Sequence, residues 1–231
     1  MGRKGFFVTG TDTGVGKTRV TAVLVRTLVK QGLRVAAMKP VAAGAEPTEA
    51  GLRNADALTL AAAANVEAPY ELINPYCLAL PASPHIAARE AGVTISPEVV
   101  RERLDQLAAR ADWVLAEGAG GWLAPIGEGQ TMADVAVAMG LPVLLVVGLR
   151  LGCLNHALLT ARAVREDGLP LAGWIGNRID GSFERVDENL ATLERLLGSE
   201  PLAVLPFEPG ATDTSELPEG LAERLMERSY R

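Results

Sequence analysis

The sequence predicts one α/β domain spanning residues 1–231, built in three layers, with a mostly parallel central sheet and helices on both faces. Three observations lead there. Apolar runs alternate along the chain with segments of helical period, the pattern of strand–helix–strand units. One run, Pro142 to Val147, is almost wholly β-branched or leucine, as a strand buried on both faces must be. A glycine-rich turn, Gly10 to Gly16, joins the first apolar run to the first helical segment.

In chain order, the first strand covers Gly5 to Thr9, and a helix follows from Lys17 to Gln31, closed by Gly32 as a C-terminal cap. A second strand, Arg34 to Met38, is stopped by Lys39-Pro40, since proline offers no donor to a sheet. Residues 41–83 are less regular. They carry a helix from Asn54 to Ala64 and then a loop punctuated by Pro69, Pro75, Pro81 and Pro84. The helix from Ser96 to Arg110 has a clear start, with Ser96 as cap, Pro97 in the first helical position and Val99 three residues on. Trp113 to Ala116 is the third strand, and a helix covers Met132 to Met139. After the central strand Pro142 to Val147 come a helix from Leu154 to Arg165, a strand from Leu171 to Ile175 and a helix from Phe183 to Leu197. A short strand, Leu202 to Leu205, precedes a last helix near Leu217 to Arg228.

Bulk properties bound the function. Of 231 residues, 48% are apolar and only 4% aromatic, enough for a sizeable core with close helix–sheet packing. The formal charge of −6 and a pI near 5.1 argue against general affinity for nucleic acid or anionic membrane. Two cysteines, Cys77 and Cys153, lie far apart and in no metal-ligand spacing, which suits a reducing cytoplasm. The N-terminus lacks the apolar stretch of a signal peptide, and no run approaches the ~20 apolar residues of a membrane span.

The chemistry begins in the turn Gly10-Thr11-Asp12-Thr13-Gly14-Val15-Gly16-Lys17-Thr18. Backbone N–H groups of such a turn cradle phosphate oxygens, a lysine in the position of Lys17 reaches the β- and γ-phosphates, and a hydroxyl in the position of Thr18 binds Mg²⁺. The usual motif would place its first glycine at position 11. Here that residue is Thr11, and Gly10 lies one residue early. The expectation is a P-loop NTPase-like fold that handles a nucleoside triphosphate.

In open parallel sheets, ligands bind beyond the carboxyl ends of the strands. Lys39 follows the second strand. It reads either as a solvated strand-end lysine or as a second cation for a transferring phosphoryl group. Glu117, in Glu117-Gly118-Ala119-Gly120-Gly121, closes the third strand, where an acid is a candidate Mg²⁺ ligand and the glycines admit close approach of backbone to a ligand. Asp56 reads as a first-turn acid favoured by the helix dipole. After the fourth strand, the segment Gly148 to His156 offers a helix start for a carboxylate or a plain loop and cap. His85 and His156 have no partner spacing for a metal or a nucleophile. Asn177 reads as a turn residue or as a reader of adenine, since an amide donates to N7 and accepts from the 6-amino group together.

Taken together, these segments resemble the dethiobiotin synthetases. The matching stretches are Val8 to Thr18, Lys39-Pro40-Val41-Ala42-Ala43-Gly44, Gly51 to Leu58, Asn74-Pro75-Tyr76, Ser83-Pro84-His85, Glu117 to Trp122, Leu151 to Ala157 and Leu171 to Asn177. They are collinear up to about position 210. The resemblance implies an ATP- and Mg²⁺-dependent ring closure of 7,8-diaminononanoate with CO₂, through a phosphorylated carbamate, in a cytoplasmic homodimer. It implies catalytic roles for Lys17 and Lys39, and metal ligation by Thr18, Asp56 and Glu117. It places Asp12, Thr13, Gly14, Val15, Gly16, Lys17, Thr18, Asp56, Glu117, Gly118, Ala119 and Gly120 around the phosphates, and Asn177, Pro206, Phe207 and Glu208 at adenine and ribose. Thr13, Lys39, Ala43, Gly120 and Asn155 would meet the diamine, Asn155 facing its carboxylate end across a dimer interface. The family often carries serine where this chain has Ala43, so a side-chain hydroxyl is missing there.

Two other readings compete. Partitioning and cell-division ATPases share the loop but carry a signature lysine where this chain has Asp12, and often a basic or membrane-seeking tail. The segment 219–231 mixes both signs. Glutamine-dependent amide synthases need an added glutaminase domain with a cysteine nucleophile, for which the chain has no room.

Overall fold

The computed structural model describes residues 4–208 and 219–228. Among them the chain runs β1 (Gly5–Gly10), α1 (Lys17–Lys30), β2 (Val35–Met38), β3 (Val41–Ala43), β4 (Glu46–Thr48), β5 (Gly51–Arg53), α2 (Ala55–Ala63), α3 (Tyr70–Ile73), β6 (Tyr76–Leu78), α4 (Pro84–Glu90), α5 (Pro97–Ala108) and β7 (Trp113–Glu117). It continues through β8 (Pro125–Gly127), β9 (Gln130–Thr131), α6 (Met132–Met139), β10 (Val143–Leu149), α7 (Cys153–Glu166), β11 (Leu171–Arg178), α8 (Val186–Leu197), β12 (Ala203–Leu205) and α9 (Leu221–Arg228). The first residues of the last expected helix, 217 and 218, lie outside the described residues.

Six strands form one parallel sheet in the order β12-β11-β10-β1-β7-β2. The three-layer, parallel-sheet expectation therefore holds. Alternate residues of each strand serve opposite layers. Phe6, Leu115, Leu144 and Val146 pack against α1, α2 and α9, whereas Phe7, Val114, Ala116 and Val143 pack under α5 and α6. Leu145, Val147 and Trp174 meet α7 and α8. Because both faces are covered, the strands read as continuous apolar runs.

Helix α1 forms against its local preference. Seven of its fourteen residues are threonine or valine, types that favour strands. Nearly the whole cylinder is buried, from Val20 to Leu28, so tertiary packing decides. At α5, Ser96 accepts from the Val99 N–H at 3.3 Å, the cap read from the sequence.

The differences from expectation are concentrated at the edges. Residues 41–83 are more ordered than the prolines suggested. β3 pairs with β6 in parallel, β4 with β5 as a hairpin, and α3 and the start of α4 fill the rest, with Pro84 in the first turn of α4. β11 runs on to Arg178, so Asn177 lies within a strand instead of after it. β7 likewise includes Glu117, and β10 includes Gly148. Phe183 sits in a turn, its N–H on the Asp180 carbonyl, and α8 starts only at Val186.

The strand order reverses at β1. The chain steps outward to β2, returns through β7 on one side of β1, and then builds β10 to β12 on the other. A crevice opens at such a switch point beyond the strand ends. The turn after β1, the end of β7 and the end of β10 all meet there.

Candidate active site

The glycine-rich turn between β1 and α1 takes shapes that require glycine. Gly14 has φ +75° and Gly16 φ +82°, in the left-handed region. A Cβ on Gly16 would lie 2.1 Å from Asn177 Nδ2, so this glycine also allows the turn to close on β11. Val15 is buried and packs beside Gly10 and Gly148. No side chain caps α1, and its first turn holds no acid, which leaves its positive end suited to an anion. Lys17 folds back over the turn and donates from Nζ to the Asp12 carbonyl at 2.9 Å. Burial, then the neighbouring Lys39 charge, lowers its pKa from 10.5 to about 8. The Asp12 carboxylate accepts from the Thr13 N–H at 2.7 Å and pairs with Arg150 at 2.7 Å.

Beside this turn, three chain segments bring a cation, two carboxylates and a hydroxyl together. Lys39 leaves β2 with its backbone fixed on both sides, its N–H on the Ile73 carbonyl and its carbonyl on Asn74 Nδ2, each at 2.7 Å. Its ammonium donates to Glu117 Oε1 at 2.5 Å and to Asp56 Oδ2 at 2.9 Å. Thr18 donates to the same Glu117 oxygen at 2.9 Å. Asp56 reaches this point because Asn54 caps α2, accepting from the N–H groups of Asp56 at 3.0 Å and Ala57 at 3.3 Å. Burial alone would lower the Lys39 pKa, but the attraction of Glu117 and Asp56 outweighs it and the net shift is upward. Burial would raise Asp56, and the Lys39 charge reverses that, holding the carboxyl below its ordinary range. Lys39 is therefore an ammonium and no solvated strand-end residue; it is 4% exposed.

A cleft of about 620 Å³ opens over this cluster. Thr13, Gly14, Gly16, Lys17, Thr18, Lys39, Ala43, Asp56, Glu117, Ala119 and Gly120 all line it. Asn54 and the residues 81–84 complete the wall. The volume falls within the ~300–1,000 Å³ range of small-molecule sites. Gly118 is positioned differently, against the Phe7 ring.

Asn177, Pro206 and Glu208 gather at a second point, around Arg19. Asn177 Nδ2 donates to the Val15 carbonyl at 2.9 Å, and Arg19 donates to Asn177 Oδ1 at 3.0 Å, to the Pro206 carbonyl at 2.8 Å and to Glu208 at 2.8 Å. The Phe207 ring covers Gly181, where an added Cβ would come within 2.7 Å of it. Asn155 stands apart from both groups, exposed on the first turn of α7.

Four contributors were missed in the sequence. Asn54 was readable as a cap before a helical segment. Its Nδ2 also donates to the Ala43 carbonyl at 3.2 Å, joining β3 to the cleft wall. Arg19 and Arg150 carry no local signal, because their partners lie 158 to 189 and 138 residues away; the 81–84 wall overlaps the Ser83-Pro84-His85 stretch, but its place on the cleft depends on the fold.

Among the described residues no cluster of three or more His, Cys, Asp or Glu side chains is present. The donor set Thr18, Asp56 and Glu117 still suits Mg²⁺, which commonly takes one or two carboxylates and leaves other positions to phosphates and water. One atom is informative here: Glu117 Oε2 is buried without a hydrogen-bond partner among the described residues, a costly state unless a ligand completes it.

A family model described as an AAA domain matches residues 4–215. The ATP-dependent dethiobiotin synthetase BioD of Xanthomonas axonopodis pv. citri is 46% identical over 211 residues, covering 91% of this chain and 94% of that protein. Its namesake from Pseudomonas aeruginosa strain UCBPP-PA14 is 50% identical over 208 residues, with 90% and 91% covered. That of Nitrosospira multiformis is 50% identical over 216 residues, with 93% and 94% covered. Among solved structures, the Pyrococcus furiosus cell division ATPase MinD superposes with a TM-score of 0.59 at 22% identity, covering 99% of this chain and 98% of that one. The Pyrococcus horikoshii septum site-determining protein MinD, complexed with Mg-ADP, gives 0.58 at 20%, with 100% and 90% covered. At such identities the solved structures speak for the fold alone.

Proposed function

The chain belongs to the ATP-dependent dethiobiotin synthetases, and from that membership we propose that it closes 7,8-diaminononanoate and CO₂ into the cyclic urea of dethiobiotin, releasing ADP and phosphate. The observation that carries this reading is the convergence of Lys17, Lys39, Thr18, Asp56 and Glu117 on one cleft at the switch point of the sheet.

In the proposed sequence, one amine of the substrate takes up CO₂ and loses a proton, giving a carbamate. A carbamate oxygen then attacks the γ-phosphorus, and the bond to ADP breaks. The second amine attacks the carbon of the mixed anhydride. Phosphate leaves with the C–O bond pair, and the amine gives up its proton. These steps need alignment and charge stabilisation more than acid–base groups, which suits a cleft without a Ser–His or Cys–His pair.

The chain supplies the following. The turn 12–18 and the start of α1 hold the triphosphate, with Lys17 reaching its outer phosphates. Thr18, Asp56 and Glu117 are the residues that would hold Mg²⁺, whose chemistry there is to neutralise phosphoryl charge. Lys39 turns its ammonium to the transferring phosphoryl group and the carbamate. Thr13, Ala43 and Gly120 bound the diamine. Asn177 and residues 206–208 receive the adenine and ribose. Asn155 serves the substrate carboxylate from a partner subunit in a cytoplasmic homodimer, a role that suits its exposure away from its own cleft.

The test is phosphate release by the purified protein with Mg²⁺-ATP and bicarbonate. Turnover that appears only on addition of the diamine, with dethiobiotin formed mole for mole, supports the reading. Diamine-independent turnover stimulated by DNA or lipid would replace it with the nucleotide-switch alternative. Asp12, standing where the switch ATPases carry their signature lysine, weighs against that alternative.

A further inference from the structure

Resting on the reading that adenine lies beside Asn177 and residues 206–208, we infer that Arg19 is the positioning residue that makes this site choose adenine over guanine.

Asn177 is 2% exposed, and its amide is held at both ends by groups of opposite kind. The Val15 carbonyl, 2.9 Å away, can only accept, so it must face Nδ2. The Arg19 guanidinium, 3.0 Å away, can only donate, so it must face Oδ1. Turning the amide over would set donor against donor and acceptor against acceptor. After these two bonds Asn177 retains one N–H and one oxygen lone pair. That remaining pair fits the N7 acceptor and 6-amino donor of adenine. Guanine presents two acceptors on the same edge, N7 and O6, and would meet the oxygen of Asn177 with its own.

The same guanidinium fixes the opposite wall. One nitrogen serves both Asn177 and the Pro206 carbonyl, and the other pairs with Glu208. Glu208 balances the charge, so Arg19 orients neighbours without presenting an unpaired cation to a neutral base. The planar fork of arginine allows this, and lysine has no such fork. Arg19 lies on α1 two residues past Lys17, so the helix that begins at the phosphates also sets the register of the base.

The test compares kcat/KM for ATP and GTP in the full-length protein. Arg19→Met should lower the ATP:GTP ratio roughly tenfold, the scale of one hydrogen bond to a charged group, mainly through a higher KM for ATP with kcat nearly kept. Inhibition by Mg²⁺-tripolyphosphate, which has the phosphates but no base, should be unchanged. That separates a base-positioning role from general damage to the fold. Arg19→Lys should fall between. An unaltered ratio in both Arg19 variants overturns the inference. Asn177→Leu locates the failure. If it collapses the ratio while Arg19→Met does not, the base site stands and the role of Arg19 falls. If it too leaves the ratio unchanged, the placement of the base is wrong and the inference falls with it.

Discussion

Lys39 and Glu117 form a buried ion pair, Nζ to Oε1 at 2.5 Å, with the glutamate wholly inaccessible and the lysine side chain 5% exposed. The pair joins the ends of two adjacent parallel strands, β2 and β7. Asp56 completes the charge balance from α2. The ammonium therefore lies between two carboxylates. Under the proposed function these are also the carboxylates that would hold Mg²⁺, so lysine and metal would compete for them.

Replacing Lys39 exposes this competition. Lys39→Met leaves Glu117 buried without its cation, and removing one partner of such a pair costs about 3–5 kcal/mol. Urea unfolding at pH 8 should show a loss of that order. Turnover should fall by several orders of magnitude. Mg²⁺ alone should bind the variant more tightly than the natural protein, as titration calorimetry without nucleotide would measure. Equal or weaker Mg²⁺ affinity would separate the lysine from the metal position.

What could be read from the sequence divides along physical lines. The parallel sheet, the phosphate turn and the candidate roles of Lys39 and Glu117 were legible because each depends on a few neighbouring residues: an apolar run, a glycine pattern, a polar residue closing a strand. Asp56 on its own looked like an ordinary helix-start acid. Only the fold brings Asn54, its cap, beside β3 and so turns Asp56 toward Lys39. Arg19 was silent for the same reason, since its partners arrive from β11 and from beyond β12. The small sheets between 41 and 83 were hidden by prolines: Pro69, Pro75, Pro81 and Pro84 fall at turns and element starts that tolerate a missing N–H, and Pro47 sits within the two-stranded hairpin of β4 and β5. Asn155 does not line the cleft of its own chain, and its place at the substrate belongs to the proposed homodimer.

Two glycines of the phosphate turn offer a matched comparison. Gly14 and Gly16 both have positive φ, so alanine at either carries the left-handed backbone cost of about 1–2 kcal/mol. A Cβ at Gly14 meets nothing within 4 Å, whereas one at Gly16 collides with Asn177 Nδ2. Gly14→Ala should lose only that stability and keep most of its ATP affinity. Gly16→Ala should lose more stability and at least tenfold in ATP affinity, since it displaces the amide beside the turn. Denaturant midpoints and nucleotide titrations on the two variants would settle the contrast, and indistinguishable variants would argue that Asn177 moves away without cost.

Ala43 offers a gain instead of a loss. It lies on β3 at the cleft wall, with its carbonyl already held by Asn54. Ala43→Ser adds a hydroxyl without disturbing that backbone bond. One new hydrogen bond contributes about 0.5–1.5 kcal/mol. The KM for the diamine should therefore fall by about two- to tenfold while the KM for ATP stays constant. Steady-state kinetics with each substrate varied in turn would check it. A change confined to ATP would place Ala43 on the wrong side of the cleft.

The last prediction concerns protons. Burial, with Lys39 nearby, brings the Lys17 pKa down to about 8 from 10.5. Between those values the unfolded chain holds the proton more firmly than the folded one, so this group's contribution to stability rises with pH through that window. Its effect on nucleotide binding runs the other way. A triphosphate beside the ammonium favours the charged form and raises the pKa again. Binding at pH 6.5 should then take up almost no proton through this lysine, whereas at pH 9 it should take up close to one. Calorimetric titrations in buffers of different ionisation enthalpy would read this uptake directly. ATP affinity should correspondingly weaken above about pH 8, by approaching tenfold per pH unit once Lys17 is mostly neutral in the unbound protein. Lys17→Arg, which stays charged throughout, should abolish this lysine's share of the uptake even where its longer side chain weakens binding. An uptake at pH 9 that persists unchanged in that variant would assign the proton to another group.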